Sequence, residues 1–419
     1  MTATANASDT ARRWPEGGVS RVPAWIYSDR ELFDREMETF HYGPTWNFVG
    51  LEAEVPENGC YRRTFVGLKP VLITRDMEGQ IHVLENRCSH RGAPVCWEQK
   101  GKAEDLTCAY HHWSYDLAGN LQGVAFMRGQ PKPNPGMPKD FDRRNHGLKK
   151  LRTTVKGGAI WATFSEETPP LEEYVGPDVM EFVDRAFNGR KLRLLGYSRQ
   201  IIPCNWKLYF ENARDPYHAT LLHTFFTTFG LFRADAQTRA IPAGEGRHEV
   251  TYSWFDPKAA SKNTKLSKDI KNIKTNLELH DREIVSPRVE FNGDGRIGTL
   301  EVFPSMVLQQ HINTLAVRHI LPKTPTTTEL SWIYFGYEDD DEELRRLRLK
   351  QGNLTGPAGY VSLDDSEVLK QMQPVVDNYP ESQQIVEMHG RDHIGVSETS
   401  VSESMIRAFY TFYRRAMNL

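Results

Sequence analysis

Apolar and polar positions follow two different periods along this chain, and the switches between them outline its organisation. Leu32, Phe33, Met37 and Phe40 recur at helical spacing after Ser28-Asp29, which predicts a capped helix through about Tyr42 with a core-facing stripe. From Thr45 the pattern shortens to β-type runs at 47–51, 62–65, 71–75 and 81–86, with a turn at Glu78-Gly79. Further runs at 151–155 and 159–164 close this first region. Residues 171–187 return to helical spacing, interrupted at Gly176-Pro177, and 191–202 reads as a strand. Runs at 298–310, 314–321 and 329–337 predict an antiparallel meander. A helix then follows with acids at 338–343 ahead of Arg345, Arg346 and Arg348, the order a helix dipole favours. Gly356-Pro357-Ala358-Gly359 ends it, Asp364-Asp365-Ser366-Glu367 opens the next, and 402–417 reads as an amphipathic closing helix.

Four stretches lie outside that pattern. Residues 1–13 are small and polar and are expected to be disordered. Residues 14–27 hold three aromatics, which suit docking on a neighbouring subunit or within the chain. Residues 128–138 contain four Pro and two Gly and read as a surface loop. Residues 256–285 carry regularly spaced lysines and few large apolar side chains, as a solvated helix face or a lid would.

Composition narrows the class. A chain of 419 residues exceeds one ordinary domain, so two are expected. Lys plus Arg number 52 against 55 Asp plus Glu, a balance that speaks against nucleic-acid binding or a polybasic membrane role. Five cysteines, an odd number, indicate no disulfide framework and a reducing compartment. No run of about 18 apolar residues and no signal-peptide core are present, so a cytoplasmic location is expected.

Two constellations carry chemistry. Cys88-Ser89-His90 and Cys108-Ala109-Tyr110-His111 give C-x-H, seventeen residues, then C-x2-H. Each lobe supplies one Cys and one His, unlike a zinc finger, where Cys and His form separate lobes. A Rieske [2Fe–2S] centre needs this mixture, because two thiolates hold one iron and two imidazoles the other. Both lobes are placed on loops of a small β domain, flanked by Tyr110 and Trp113, which shield a cluster or simply pack the loop. His112 is expected to point elsewhere. Further on, Asp215, His218 and His223 fall at D-x2-H-x4-H spacing. Asp215 and His218 share a helix face, and His223 converges if the backbone bends. With one distant carboxylate, two imidazoles form a facial triad that leaves positions open on Fe(II); a satisfied polar cluster is the alternative. The pair Asp364-Asp365 either supplies that carboxylate or caps its helix. The aromatic run 224–229 suits a substrate wall or core. Arg318, on a strand, either snorkels to solvent or offers a fork to a carboxylate.

With both constellations in place, the chain resembles the large (α) subunit of Rieske non-heme iron aromatic ring-hydroxylating oxygenases over nearly all its length. The resemblance rests on C-S-H-R-G at 88–92, C-A-Y-H-H-W at 108–113, N-W-K-L-Y-F-E-N at 205–212, D-P-Y-H-A-T-L-L-H at 215–223 and G-P-A-G-Y-V-S-L-D-D at 356–365. It implies an α+β fold: a small antiparallel β Rieske domain plus a helix-grip-like catalytic domain, its antiparallel sheet flanked by helices. The expected divisions are an arm and helix at 1–44 packing on the catalytic domain, the Rieske domain at 45–165 and the catalytic domain at 166–419.

The same resemblance implies the site. Cys88 and Cys108 would ligate one cluster iron, His90 and His111 the other, and His218, His223 and Asp365 the mononuclear iron. Asp215 would bridge His218 to the cluster His111 of the next subunit. Electrons would come from NAD(P)H through a reductase and a ferredoxin, with dioxygen as oxidant. A homotrimer or an α3β3 assembly with a small β subunit follows from transfer across that boundary. Within the family, the chain is similar to oxygenases of aromatic carboxylates: salicylate 5-hydroxylase, and anthranilate, ortho-halobenzoate and terephthalate dioxygenases. Arg318 resembles an Arg that grips a carboxylate in the terephthalate enzymes, and Ser400 stands where those enzymes carry a second Arg. A monocarboxylated ring is therefore expected. The alternatives are a terephthalate-type dicarboxylate oxygenase, a Rieske electron carrier without oxygen chemistry, and a structural zinc protein.

Overall fold

A computed structural model of the chain describes residues 12–130, 135–229, 236–254, 277–291 and 297–419. Most of the expected disordered N-terminus, and residues 256–276 of the expected lid, lie outside the described residues. The rest of that stretch, 277–285, is irregular chain ending in a 3-10 turn, Arg282–Val285. The chain divides into two compact units, one of Met1–Thr39 with Pro170–Leu419 and one of Phe40–Pro169.

The Phe40–Pro169 unit is built on a seven-stranded antiparallel sheet. Its spatial order is Asn47–Leu51, Ala159–Thr163, Lys150–Lys156, Ile81–Glu85, Lys69–Arg75, Cys60–Val66 and Lys100–Lys102. Alternation along the central strands sends side chains to opposite faces. Val71, Ile73 and Val83 enter one apolar cluster with Val49 and Ile160. Leu72 and Leu84 enter another, with Leu106, Tyr115 and Leu121 of a three-stranded sheet and with Trp113, Cys88 and Cys108. The two cysteines are thus held from below by the sheet's own hydrophobic period.

The other unit centres on a second seven-stranded antiparallel sheet. Its order is Leu192–Ile202, Thr327–Tyr337, Thr314–Thr324, Met306–His311, Ile297–Val302, His248–Trp254 and Gln237–Ala243. The expected single run 298–310 is two strands, parted by a turn at Phe303-Pro304-Ser305. Apolar residues on both sides of that turn, Val302, Phe303, Met306 and Val307, conceal it from a reading by hydrophobicity. The hairpin formed by Gln237–Ala243 and His248–Trp254 was not among the expected elements.

The expected N-terminal helix is capped by Asp29, whose carboxylate accepts the Leu32 N–H at 2.7 Å, and runs as α-helix over Arg30–Glu36 before a π turn. The preceding arm docks within the chain: Arg21–Pro23 pairs with Gln383–Ile385, and Trp14 lies 5.5 Å from the Tyr410 ring. Three elements converge on buried carboxylates here. Glu36 accepts from Lys207 Nζ at 2.6 Å, Trp206 Nε1 at 2.8 Å and Tyr413 Oη at 2.5 Å. Glu211 accepts from Tyr27 at 2.8 Å and from Tyr410. Burial pushes Glu211 up to about 7 against the pull of both tyrosines. Phe409 of the closing helix Ser404–Met417 fills the space between, with rings of Trp206, Phe210, Phe303 and Tyr413 around it. The helix Trp206–Ala213, which precedes the second constellation, is therefore anchored on every side but one.

Candidate metal centres

The two Cys/His lobes are the same loop made twice. Cys88 N–H donates to Ala93 O, and Gly92 N–H returns to Cys88 O; Cys108 N–H donates to Trp113 O, and His112 N–H returns to Cys108 O. In both loops the fourth residue after the Cys is left-handed, Gly92 at φ +77° and His112 at +54°. That requirement explains why Gly suits the first loop and why the exposed His112 turns away from its neighbour. Both thiols are buried, whereas His90 is exposed and His111 half-buried. The His90 and His111 rings stand edge to face at 4.6 Å, with His90 stacked on Trp113 at 4.7 Å and Tyr110 against His111 at 3.8 Å. Cys88 Sγ lies 3.1 Å from Tyr115 Oη. Burial raises the Cys108 thiol, and hydrogen bonding with Cys88 adds to the rise. Burial and the neighbouring His111 lower His90. Two sulfurs inside and two imidazoles outside match the divided donor set of a [2Fe–2S] cluster. His111 Nδ1 is buried without a hydrogen-bond partner among the described residues, as a nitrogen available to a metal would be.

The second constellation is assembled by a helix that stops at the right residue. Asp215 caps Pro216–Leu222, accepting the Tyr217 N–H at 2.8 Å, and Pro216 occupies the first helical position, where its missing N–H costs nothing. The helix ends before His223, whose backbone (φ −84°, ψ 68°) supplies the required bend. His218 Nε2 and His223 Nε2 each lie 3.3 Å from the same oxygen, Asp365 Oδ1. The three ligand atoms fall within 4.8 Å of one another. Asp215 Oδ2 stands 3.3 Å behind His218 Nδ1, and Asp364 Oδ2 3.4 Å behind His223 Nδ1. Of the acidic pair, Asp365 therefore faces the imidazoles and Asp364 backs one of them. Neither caps the helix Ser362–Asn378, which has no side-chain cap. Burial alone would lower His218, but hydrogen bonds to Asp215 and Asp365 outweigh it and raise its pKa to about 10. Burial would raise Asp365, and the two histidines hold it below its usual range. The point between these groups favours a cation, as a metal site must.

A cavity opens beside the three ligands, and one wall is a face of the sheet. Thr251 stands opposite Thr299, Thr299 opposite Gln309, and Val307 opposite Arg318, so alternation places their side chains on one side. Thr238, Thr251, Ser253, Thr299, His311 and Arg318 line the cavity with Asn212 and Ser400. Of these, only Arg318 and Ser400 were singled out by the sequence. Arg318 does not snorkel: it is 4% exposed, donating to Tyr209 Oη at 3.1 Å and to Gln309 Oε1, with the Trp332 ring 4.6 Å away. No carboxylate pairs with it among the described residues. Burial, Arg318 and His223 together push His311 down to about 3, so its imidazole is neutral. None of residues 224–229 lines this cavity. Phe226 belongs to a core cluster with Ile312, Leu354 and Val361, and Phe225 stacks on Tyr360 at 4.8 Å.

Comparison with known proteins finds a family model for each of two stretches of the chain. The family model of the Rieske [2Fe–2S] domain matches residues 45–134, and that of the ring hydroxylating alpha subunit (catalytic domain) matches 174–419. The large oxygenase component of salicylate 5-hydroxylase from Ralstonia sp. is 42% identical, covering 97% of this chain and 96% of its own. The large subunit of anthranilate 1,2-dioxygenase from Burkholderia cepacia is 43% identical over 98% and 96%. An alpha subunit of the terminal oxygenase component of terephthalate 1,2-dioxygenase from Comamonas sp. is 40% identical over 97% of both. Among solved structures, naphthalene 1,2-dioxygenase from Rhodococcus sp. bound to indole shares the fold, with a TM-score of 0.77 at 22% identity over 95% of this chain and 94% of that one.

Proposed function

Because this chain belongs to the family of ring-hydroxylating oxygenase α subunits, we propose that it hydroxylates an aromatic ring bearing a single carboxylate, of the salicylate, anthranilate or halobenzoate kind. It is an oxygenase that uses a Rieske [2Fe–2S] cluster, a mononuclear iron and dioxygen. In this proposal Cys88 and Cys108 hold one cluster iron, His90 and His111 the other, and His218, His223 and Asp365 the mononuclear iron. Loaded, these centres supply electrons and the reductive activation of dioxygen.

The chain's own residues do the rest. Asp215 orients His218 through its second ring nitrogen and serves as the relay from the cluster His111 of the next subunit. Arg318 grips the substrate carboxylate, with Tyr209 and Gln309 fixing its plane. One observation supports the substrate class above the others: a buried guanidinium that forms no close ion pair among the described residues lines the same cavity as the triad. Ser400, neutral, lines that cavity too, which favours a monoacid over a terephthalate-type diacid.

The partners in this reading are a ferredoxin and a reductase drawing on NAD(P)H, and a small β subunit. The assembly is a homotrimer or an α3β3 hexamer working in the cytoplasm. No helix among the described residues is long and apolar enough to cross a membrane. The test is single turnover of the anaerobically reduced protein with isotopically labelled dioxygen and, separately, salicylate, anthranilate, 2-chlorobenzoate and terephthalate. Label in the product of a monoacid is expected, one atom marking a monooxygenase and two a dioxygenase. Turnover of terephthalate alone would overturn the monoacid reading.

A further inference from the structure

Two carboxylates lie beside the cavity that the ligand set and the substrate clamp leave unused. Glu249 and Glu301 stand directly opposite one another on the neighbouring strands His248–Trp254 and Ile297–Val302, and both are fully buried. Residues so placed have Cβ atoms about 5 Å apart, and the charge of Glu301 acts on Glu249. One oxygen of each is accounted for. Glu301 Oε2 accepts from Arg214 Nε at 2.8 Å and Nη2 at 2.5 Å; Glu249 Oε2 accepts from the Thr251 hydroxyl at 2.8 Å. The other oxygen of each, Oε1, is buried without a hydrogen-bond partner among the described residues.

Charge gives the same picture. Arg214 and, more distantly, Arg318 act on Glu301; Arg214 and the opposing Glu301 act on Glu249. One ion-paired guanidinium for two fully buried anions leaves an excess of negative charge, which proteins avoid by protonation. Burial and the charge of Glu301 drive Glu249 well above the usual carboxylate range, and burial pushes Glu301 up to about 7 against the pull of Arg214. A single proton between the two Oε1 atoms satisfies both orphaned acceptors and removes the excess charge. Thr251, half-buried, joins this pair to the cavity it lines.

We propose that Glu249 and Glu301 share one proton and that the Thr251 hydroxyl passes it into the cavity during ring oxygenation, an inference that rests on the oxygenase reading above. Oxygenation of a ring by dioxygen and two electrons takes up two protons, whether one oxygen leaves as water or both stay. In the transfer the protonated Glu249 carboxyl turns its O–H toward Thr251, whose hydrogen turns from Oε2 to the acceptor in the cavity; the carboxyl O–H bond then breaks and the Thr251 oxygen gains that proton as its own moves to the acceptor. No electron moves. The pair is left fully ionised beside Arg214 and regains its proton from cavity water between turnovers.

Infrared spectra in H2O and D2O at neutral pH read the shared proton directly, with no need of turnover. A deuterium-sensitive carbonyl band of a protonated carboxyl is expected, and Glu249→Gln removes it. Thr251→Val keeps the size and deletes the hydroxyl. The band then persists, while the single-turnover rate at saturating substrate falls about 100-fold, the usual scale for a lost proton donor. The deficit grows as pH rises, and Thr251→Ser restores the rate. No protonated-carboxyl band in the wild type overturns the shared proton. A Thr251→Val rate equal to wild type, or a Thr251→Ser variant as slow as Val, overturns the relay. A wild type that turns over no aromatic acid sinks the oxygenase reading instead, and the infrared band still decides the pair.

Discussion

Arg318→Met separates recognition of charge from packing. Met is unbranched and of similar reach, so it fills the slot against Trp332 without a donor. On the ligand side the change removes a charge-assisted, fork-like contact. A hydrogen bond to a charged group contributes about 1.5–3 kcal/mol. Taking about 3 for the pair, affinity for an aromatic monoacid falls by about 150-fold. On the protein side the sign is opposite. The wild type buries a cation whose hydrogen-bond partners among the described residues, Tyr209 and Gln309, are both neutral. Removing it leaves those two groups short of a donor, at about 1 kcal/mol each, and takes a favourable cation from Glu301 and Asp365, but relieves the desolvation of a buried charge, which costs several. The ligand-free variant should therefore melt close to the wild-type temperature while losing ligand-induced stabilisation. Calorimetric titration with benzoate and with its neutral analogue benzamide isolates the charge. Wild type should prefer the acid by about 100-fold, and Arg318→Met should bind the two alike. An acid-to-amide ratio unchanged by the substitution would refute the clamp.

The three carboxylates at the two imidazoles give the remaining expectations. Asp365→Ala should lose mononuclear iron and keep the visible spectrum of the cluster, because Asp365 Oδ1 alone faces both Nε2 atoms. Asp364→Ala, which removes only a group behind His223, should retain most of its iron; equal loss in metal analysis would put the ligand choice in error. Asp215→Asn preserves the helix cap, since Asn is as good an N-cap as Asp. Both iron centres should stay loaded while steady-state turnover drops by about 100-fold or more, and a fully active variant would dispose of the relay.

What could be read from the chain alone was whatever is local. The Cys88/His90 and Cys108/His111 lobes lie within one short stretch, so donor spacing was visible without a fold. Their twinned backbone, with a left-handed residue four after each Cys, was not, because His112 gives no sign of positive φ. Asp365 could be paired with His218 and His223 only through the family resemblance. Its approach depends on where the helix Ser362–Asn378 docks, which no local period encodes. Arg318 had two readings for the same reason: a strand position is buried or exposed according to what covers its face, here Tyr209 and Trp332.

The misses in the sheet have a common cause. In the first unit Val71 and Leu72 are apolar on both faces because both faces meet core, and the strand was read correctly. In the second unit one face of the sheet meets the cavity, and Thr238, Thr251, Ser253 and Thr299 point into it. In His248–Trp254 the residues Val250, Tyr252 and Trp254 do alternate with Thr251 and Ser253, but its partner Gln237–Ala243 carries Arg239 and Pro242 and no such period, and the hairpin was not among the expected elements. Local patterning is expected to fail where function overrides burial. Here an inward face of hydroxyls, amide, imidazole and guanidinium replaces the aliphatic stripe of an ordinary core. An apolar floor would hold an aromatic ring as well, but it could neither orient a carboxylate nor connect Glu249 to the cavity. The stretch hardest to read as structure is thus where the side chains that distinguish one substrate from another belong.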